Sequence, residues 1–193
     1  MPPKAKFTKG QITEAGLEIV RKEGMDNLTA RALGKKLGSS ACPIFTVFKN
    51  MEEVQQSVMD AARAVYKGYV DTGLAEIPAF KGVGKQYILF AIKEPNLFQL
   101  LFMTKQDDDV NLESILPLID ENYERIRNSI VAGADISPHA VKRLYRHLWI
   151  YTHGIATLCV TKMCSFTEEE ISNMMTEVFR SLLKSVREES YHD

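Results

Sequence analysis

The sequence lacks the features that typify membrane and secreted proteins. It has no run of about 18 apolar residues, so we expect no transmembrane helix and no membrane partner. Its basic start, MPPKAKFTKGQ, is not followed by an apolar signal segment. Its three cysteines, Cys42, Cys159 and Cys164, do not suggest a disulfide framework. We therefore interpret them as reduced thiols in a cytoplasmic protein.

Motifs of catalysis and metal binding are also lacking. His139 and His147 are eight residues apart and His153 lies six before Cys159, so neither pair has the i, i+4 spacing of helical metal ligands. Cys159 and Cys164 are five apart, which is not a CxxC spacing. No glycine-rich phosphate loop or nucleophile elbow occurs. We predict no enzyme activity, metal or cofactor; a thiol sensor made of the two cysteines stays open beside buried structural cysteines.

Positive charge is concentrated at the start of the chain. Residues 1–50 hold nine Lys or Arg and four Asp or Glu, a net charge of +5. Residues 51–193 hold 15 and 21, a net charge of −6. A basic head on an acidic body indicates a polyanionic partner for the head, although such a charge run also fits an ordinary solvated surface.

Strand signals are nearly absent, and 3.6-residue periodicity predicts an all-α fold. We divide the chain into a head, residues 1–50, and a larger body, residues 51–193, which begins with the connecting fourth helix. GLAEIPAFKG is a predicted hinge between them. The predicted helices cover roughly residues 9–23, 29–38, a short third helix after Ser40, 51–73, 80–93, 96–104, 111–131, 137–162 and a last helix after Thr167.

The two short helices of the head predict a helix-turn-helix, whose second helix lies in the DNA major groove. Gly38 makes the turn between them. We expect Ser40 to cap the second of these helices and Pro43 to lie in its first turn, where a missing N–H costs little. Ile44 and Phe48 should hold it from behind. A plain helical hairpin, with Ser40 as a cap only, is the alternative.

The head resembles the TetR family of bacterial transcriptional repressors. The resemblance covers residues 7–66 and is carried by EG at 23–24, LTARALGKKLG at 28–38 and PIFTVFKNMEEV at 43–54. Two positions depart from the family pattern: Phe45 stands where tyrosine is usual, and Met51 where a phosphate-contacting lysine is usual. The resemblance implies a helix-turn-helix head on a helical ligand-binding and dimerisation body.

Carried over position by position, the resemblance implies a set of DNA-contacting residues in the head. Thr29 has a second interpretation as a helix cap, and Pro43 one as a residue that only shapes the helix. A basic arm formed by Lys4, Lys6 and Lys9 is an additional candidate. The predicted DNA-binding residues are, from the resemblance, Thr29, Arg31, Ser40, Ala41, Phe45, Thr46 and Lys49, and, from the small residues that start the second helix of the motif, Ser39, Cys42 and Pro43.

Residues 80–102 of the body are similar to a segment that borders a ligand cavity in many family members. Aromatic and flexible apolar side chains there, and on the penultimate helix, suit an apolar small molecule. For each residue singly, ordinary core packing is the alternative. The predicted ligand-binding residues are Tyr87, Phe90, Phe98, Phe102, Met103, Tyr145, Trp149 and His153.

The resemblance also implies a homodimer formed by the last two helices and a near-palindromic double-stranded DNA operator. A small-molecule effector, whose identity the family does not give, would release the DNA. We therefore expect a ligand-responsive transcriptional regulator, with repression as the default. The alternative is a helical small-molecule-binding regulatory protein with weak or lost DNA binding.

Overall fold

A computed structural model describes residues 5–103, 111–112, 116–117, 121–133 and 136–189. Every regular element in those ranges is a helix, so the all-α prediction is confirmed there. Two short 3₁₀ helices, Met25–Asn27 and Cys42–Thr46, flank the second α-helix. The α-helices are α1 (Lys9–Glu23), α2 (Ala30–Lys36), α3 (Met51–Leu74), α4 (Ala79–Lys93), α5 (Pro95–Phe102), α6 (Tyr123–Gly133), α7 (Pro138–Val160) and α8 (Glu168–Glu189).

Helix starts follow the predicted caps. The Thr8 hydroxyl accepts the backbone N–H of Gln11, whose side chain accepts the backbone N–H of Thr8, so α1 opens with a capping box. Ser137 caps α7 with Pro138 in its first turn. The Thr167 hydroxyl likewise accepts the backbone N–H of Glu170 at the start of α8, at 3.2 Å. Short polar side chains therefore fix where these helices begin.

The predicted helix over 111–131 is confirmed in its second half by α6, Tyr123–Gly133. Most of its first half, and the acidic run 107–109, lie outside the described residues. No helix of the described ranges is long and apolar enough to cross a membrane.

The chain forms two compact units. The first contains the described residues up to Val65 and returns at Glu94 for the α5 segment. Within it, α1 approaches α3 closely at Gly16, where an added Cβ would lie 2.6 Å from Val58 Cγ2. The end of α1 is joined to the start of α5, because Arg21 Nε donates to Glu94 Oε2 at 2.8 Å.

The second unit contains Tyr66–Lys93 and the described residues after 104. Its central element is α4, which packs against α6, α7 and α8. Phe80 of α4 stacks on Phe179 of α8, with ring centroids 3.6 Å apart. Helix α3 contributes to both units, because it runs unbroken through residue 65. The division of the chain into functional domains at residue 50 stays a prediction.

Candidate functional site

The connection after α2 is a tight turn built on two glycines. Gly38 has φ +62°, a left-handed conformation that costs glycine little. The N–H of Ser39 donates to Gly34 O at 2.8 Å, and that of Gly38 donates to Lys35 O at 3.2 Å. These two bonds form a Schellman motif, which satisfies carbonyls at the helix end. Gly38 therefore makes the turn, as predicted.

Gly34 allows the turn to fold back against α2. A Cβ at this position would lie 2.9 Å from the Ser39 carbonyl oxygen and 3.1 Å from the Ser40 carbonyl carbon. Both neighbours are backbone atoms and cannot rotate away as a flexible side chain would. The sequence LGKKLG therefore places one glycine at the close approach and the other at the left-handed position.

The element after the turn differs from the prediction. Cys42–Thr46 is a five-residue 3₁₀ helix rather than an α-helix, and Ala41 occupies its N-cap without any side-chain capping bond. The prediction that Ser40 caps it was wrong, whereas Pro43 does lie in its first turn. The Cys42–Pro43 start suits a short 3₁₀ segment because proline fixes φ and removes a donor.

The 3₁₀ helix is held by buried apolar side chains, as predicted. Ile44 is 0% exposed and Phe48 is 1% exposed. The N–H groups of Val47 and Phe48 both donate to Ile44 O, which fixes the chain between these anchors. Lys9 Nζ lies 5.3 Å from the Phe48 ring centroid, so a cation borders the buried ring.

Most of the predicted DNA-binding residues are exposed to solvent at or near this turn. We call these exposed residues the turn surface. Ser39, Ala41 and Pro43 are half-buried beside it. The turn surface comprises Thr29, Arg31, Ser40, Cys42, Phe45, Thr46 and Lys49.

Two hydroxyls of the turn surface also serve the local backbone. Thr29 Oγ1 accepts the N–H of Ala32 at 3.1 Å and so caps α2, which confirms the cap interpretation. Thr46 Oγ1 donates to Pro43 O at 2.7 Å. Each oxygen keeps a further lone pair, and Thr29 keeps its O–H, for another partner.

The basic arm reaches the turn through one lysine. Lys6 Nζ donates to Ser39 Oγ at 3.1 Å. Lys4 lies outside the described residues. At the other end of the turn surface, the backbone N–H of Lys49 donates to Glu53 Oε2 at 2.7 Å, and Asn50 Oδ1 accepts the N–H of Glu53. Met51, half-buried at the first position of α3, adds no charge here.

The second unit contains a cavity with an almost wholly apolar lining. It has about 440 Å³ of atom-free space, including water at its mouth, of which about 50 Å³ admits the centre of a water-sized sphere. Five helices supply the lining, which contains five aromatic rings. The lining residues are Tyr66 (α3), Phe80, Val83, Gly84 and Tyr87 (α4), Ile126 and Ile130 (α6), Tyr145, Leu148, Trp149 and Thr152 (α7) and Met175 (α8).

His153 joins two of the rings that line the cavity. Its Nδ1 lies 2.9 Å from the Tyr87 hydroxyl oxygen, at hydrogen-bond distance. Its ring stacks on Trp149 with an interplanar angle of 9° and a centroid separation of 4.6 Å. Burial lowers the pKa of His153 below its usual value, because the imidazolium loses hydration there. The neutral imidazole is therefore favoured at neutral pH.

The predicted ligand-binding residues separate into three groups. Tyr87, Tyr145 and Trp149 line the cavity, and His153 contacts it through Tyr87 and Trp149. Phe90 belongs to the same unit but is fully buried in the core. The last three, Phe98, Phe102 and Met103, belong to the first unit.

Sequence reasoning missed most of the lining. Ile126 and Ile130 are four residues apart on α6, a spacing that marks a shared face. That spacing does not tell a cavity wall from a filled core. Gly84 has no side chain from which a place in the lining could be predicted. The Met175 Cε methyl packs against it in the space that a Cβ would need.

The cysteines and possible metal ligands give no alternative site. The three cysteines are free, and Cys42 and Cys164 are exposed. Burial raises the pKa of the Cys159 thiol and Cys164 adds to this effect, so the reactive thiolate is disfavoured at neutral pH. Within the ranges that the structure describes, no three His, Cys, Asp or Glu side chains are grouped as metal ligands would be.

Comparison with known proteins adds no assignment. No protein-family model matches the sequence, and no curated protein shows significant similarity to it.

Proposed function

We propose that this protein is a ligand-responsive transcriptional regulator of the TetR type, acting by default as a repressor. The turn surface carries the proposal. It combines the Schellman turn at Gly38, a short element anchored by Ile44 and Phe48, and outward-facing hydroxyl, aromatic and cationic groups. These are the chemical groups that contact phosphates and base edges in duplex DNA.

The charge around the turn supports a DNA partner. Arg31 and Lys49 belong to the turn surface, and Lys6 lies against Ser39. Lys36 is different, because it forms an ion pair with Glu18, whose pKa this contact lowers. Arg31, Lys49 and Lys6 therefore place three cations on or beside the turn surface, where they could contact phosphates.

The homodimer is supported by apolar surface on the last two helices. Ile150 of α7 is 48% exposed. Although Ile171, Met175 and Val186 of α8 are buried, other members of its apolar stripe remain partly exposed in the single chain. The half-buried members are Met174, Val178, Phe179, Leu182 and Leu183. A second copy would cover this surface. The dimer would then present two turn surfaces to the two half-sites of a palindrome, whose centres lie about 34 Å apart.

The decisive experiment is selection of bound duplexes from a random DNA pool. Enrichment of a palindrome would support the repressor, and titration should give two chains per enriched site. Affinity should fall steeply with salt, because lysine and arginine contacts release counterions. Failure to enrich any palindrome would reject DNA-specific regulation.

Lys49→Ala tests the turn surface directly. Removing one phosphate contact from each chain should weaken binding to all duplexes and reduce the slope of log K against log salt by about one per chain, or about two for the dimer. Lys93→Ala is the matched control, because Lys93 is exposed on α4 in the second unit, away from the proposed dimer helices. If both variants keep the original slope, Lys49 makes no phosphate contact.

A second candidate is a helical small-molecule-binding regulatory protein with weak or lost DNA binding. Two observations favour it: the segment Cys42–Thr46 is a 3₁₀ helix of five residues, and Met51 supplies no charge at the start of α3. This candidate predicts ligand binding by the cavity but no salt-dependent enrichment of any duplex.

A further inference from the structure

We propose that the cavity selects a small, uncharged and mainly apolar molecule of about one aromatic ring in size, and rejects organic ions of the same shape. In the repressor model this molecule is the effector, and to that extent the inference rests on the proposed function. Binding itself depends only on the cavity of the second unit.

The size of the ligand follows from the volume. A site needs roughly 10–15 Å³ of space for a sphere's centre to hold one water molecule. The cavity offers about 50 Å³ by that measure. It therefore has room for a few waters, and a single-ring molecule would also occupy the open mouth or displace a flexible part of the wall. Met175, whose flexible end packs over Gly84, is the wall residue best able to adjust to shape.

The charge of the ligand follows from the lining. None of the twelve lining residues is an aspartate, glutamate, lysine, arginine or histidine. An ion that enters such a site gives up hydration without gaining an opposite charge. This loss is larger than any single polar contact can restore. A neutral apolar molecule loses no such hydration and gains the burial of its surface.

Aromatic rings can also attract cations through their faces, which would favour a cationic ligand. Two of the rings already use a face elsewhere. Phe80 stacks on Phe179 and Trp149 stacks on His153. The lowered pKa of His153, caused by burial, independently indicates that the edge of the cavity disfavours positive charge. These surroundings favour the neutral ligand over the cation.

The sharpest test is a pair of probes with the same shape and different charge. Toluene and N-methylpyridinium differ by one carbon-to-nitrogen exchange and one positive charge. With the whole 193-residue chain, we expect toluene to raise the melting temperature and to bind at least tenfold more tightly in calorimetry. Equal or tighter binding of the cation, or no binding of the neutral probe, would overturn the inference.

Two variants localise the binding. Leu148→Phe adds a ring to the cavity wall and should weaken toluene binding at least fivefold. Ile92→Phe makes the same kind of change on α4, at an exposed residue outside the lining and off the proposed dimer helices, and should leave binding unchanged. If Leu148→Phe does not fold, Val83→Leu provides a smaller filling of the same space. Binding that survives a folded filling variant would place the probe elsewhere and reject the inference.

The DNA selection separates this inference from the proposed function. Binding of the neutral probe without any duplex enrichment would leave the inference standing and reject the repressor. If the protein enriches a palindrome but binds neither probe, the repressor proposal stands and the inference about the cavity is rejected.

Discussion

In the first unit the candidate functional groups are exposed over a filled core, whereas in the second they line a space inside the core. In the first unit, fully buried side chains such as Leu33 and Ile44 support a polar surface that faces water. In the second, five helices leave an apolar space inside. A filled core fixes the positions of surface groups, whereas an incomplete core leaves room for a guest at some cost in stability. The predictions below test that difference.

The largest effect should come from removing leucine side chains. Leu33→Ala, at a position that is 0% exposed in the first unit, should reduce the free energy of unfolding by about 4 kcal/mol. Leu148→Ala should cost only about 2–3 kcal/mol, because its side chain already borders empty space and has fewer partners to lose. Urea denaturation followed by far-UV circular dichroism measures both. Equal losses would contradict the contrast between a filled and an unfilled core.

Glycine substitutions should separate the rigid turn from an ordinary helix position. Gly34→Ala forces a Cβ against the backbone of Ser39 and Ser40, and should destabilise the protein by about 1–3 kcal/mol. Gly68→Ala is the matched control in α3. It meets no atom within 4 Å and should stabilise by about 0.5–1 kcal/mol. Thermal unfolding of the pair distinguishes them; a stabilising Gly34→Ala would show that the close approach is not required.

A second Schellman motif ends α7, where the N–H of Met163 donates to Leu158 O at 3.0 Å and that of Lys162 donates to Cys159 O at 3.1 Å. Its left-handed position is occupied by a lysine, since Lys162 has φ +58° where the motif after α2 has Gly38. Lys162→Gly should therefore stabilise the protein by about 0.5–1 kcal/mol, because glycine adopts this conformation without strain. Lys162→Ala removes the same charge and keeps the strain. If both substitutions change the melting temperature alike, the effect comes from charge.

The smallest effect should be a dependence on pH that comes from His153. Its pKa is lowered in the folded state, so the unfolded chain binds a proton first as pH falls below about 6.5. The free energy of unfolding should decline from there until the folded-state pKa is reached. The slope of this decline corresponds to at most one additional proton bound by the unfolded chain. His153→Gln should flatten this slope between pH 7 and pH 5.5 in denaturation curves, and His139→Gln, at an exposed residue, should not.

The turn was predictable because its signals are local. Gly38, Pro43 and the anchors Ile44 and Phe48 lie within eleven residues, and each acts through its own backbone or its own face. The helix type was not predictable from them, since α- and 3₁₀-helices share the same early capping and proline signals.

The cavity was predictable only in fragments, because its wall is assembled from five helices. Tyr87, Tyr145 and Trp149 were named on the basis of side-chain type. Phe98 and Phe102 have the same type, yet they belong to the first unit. Whether an aromatic residue fills a core or faces a void depends on residues far away in the chain, which a local pattern does not contain.

Gly34 also has a consequence for the order in which the first unit folds. Helix α2 has only seven residues and carries this glycine in its interior, so as an isolated fragment it should be almost wholly unstructured. Its shape must therefore come from contacts with the rest of its unit. The turn surface should form late, as a product of completed tertiary packing, and a peptide of residues 29–47 should not imitate it.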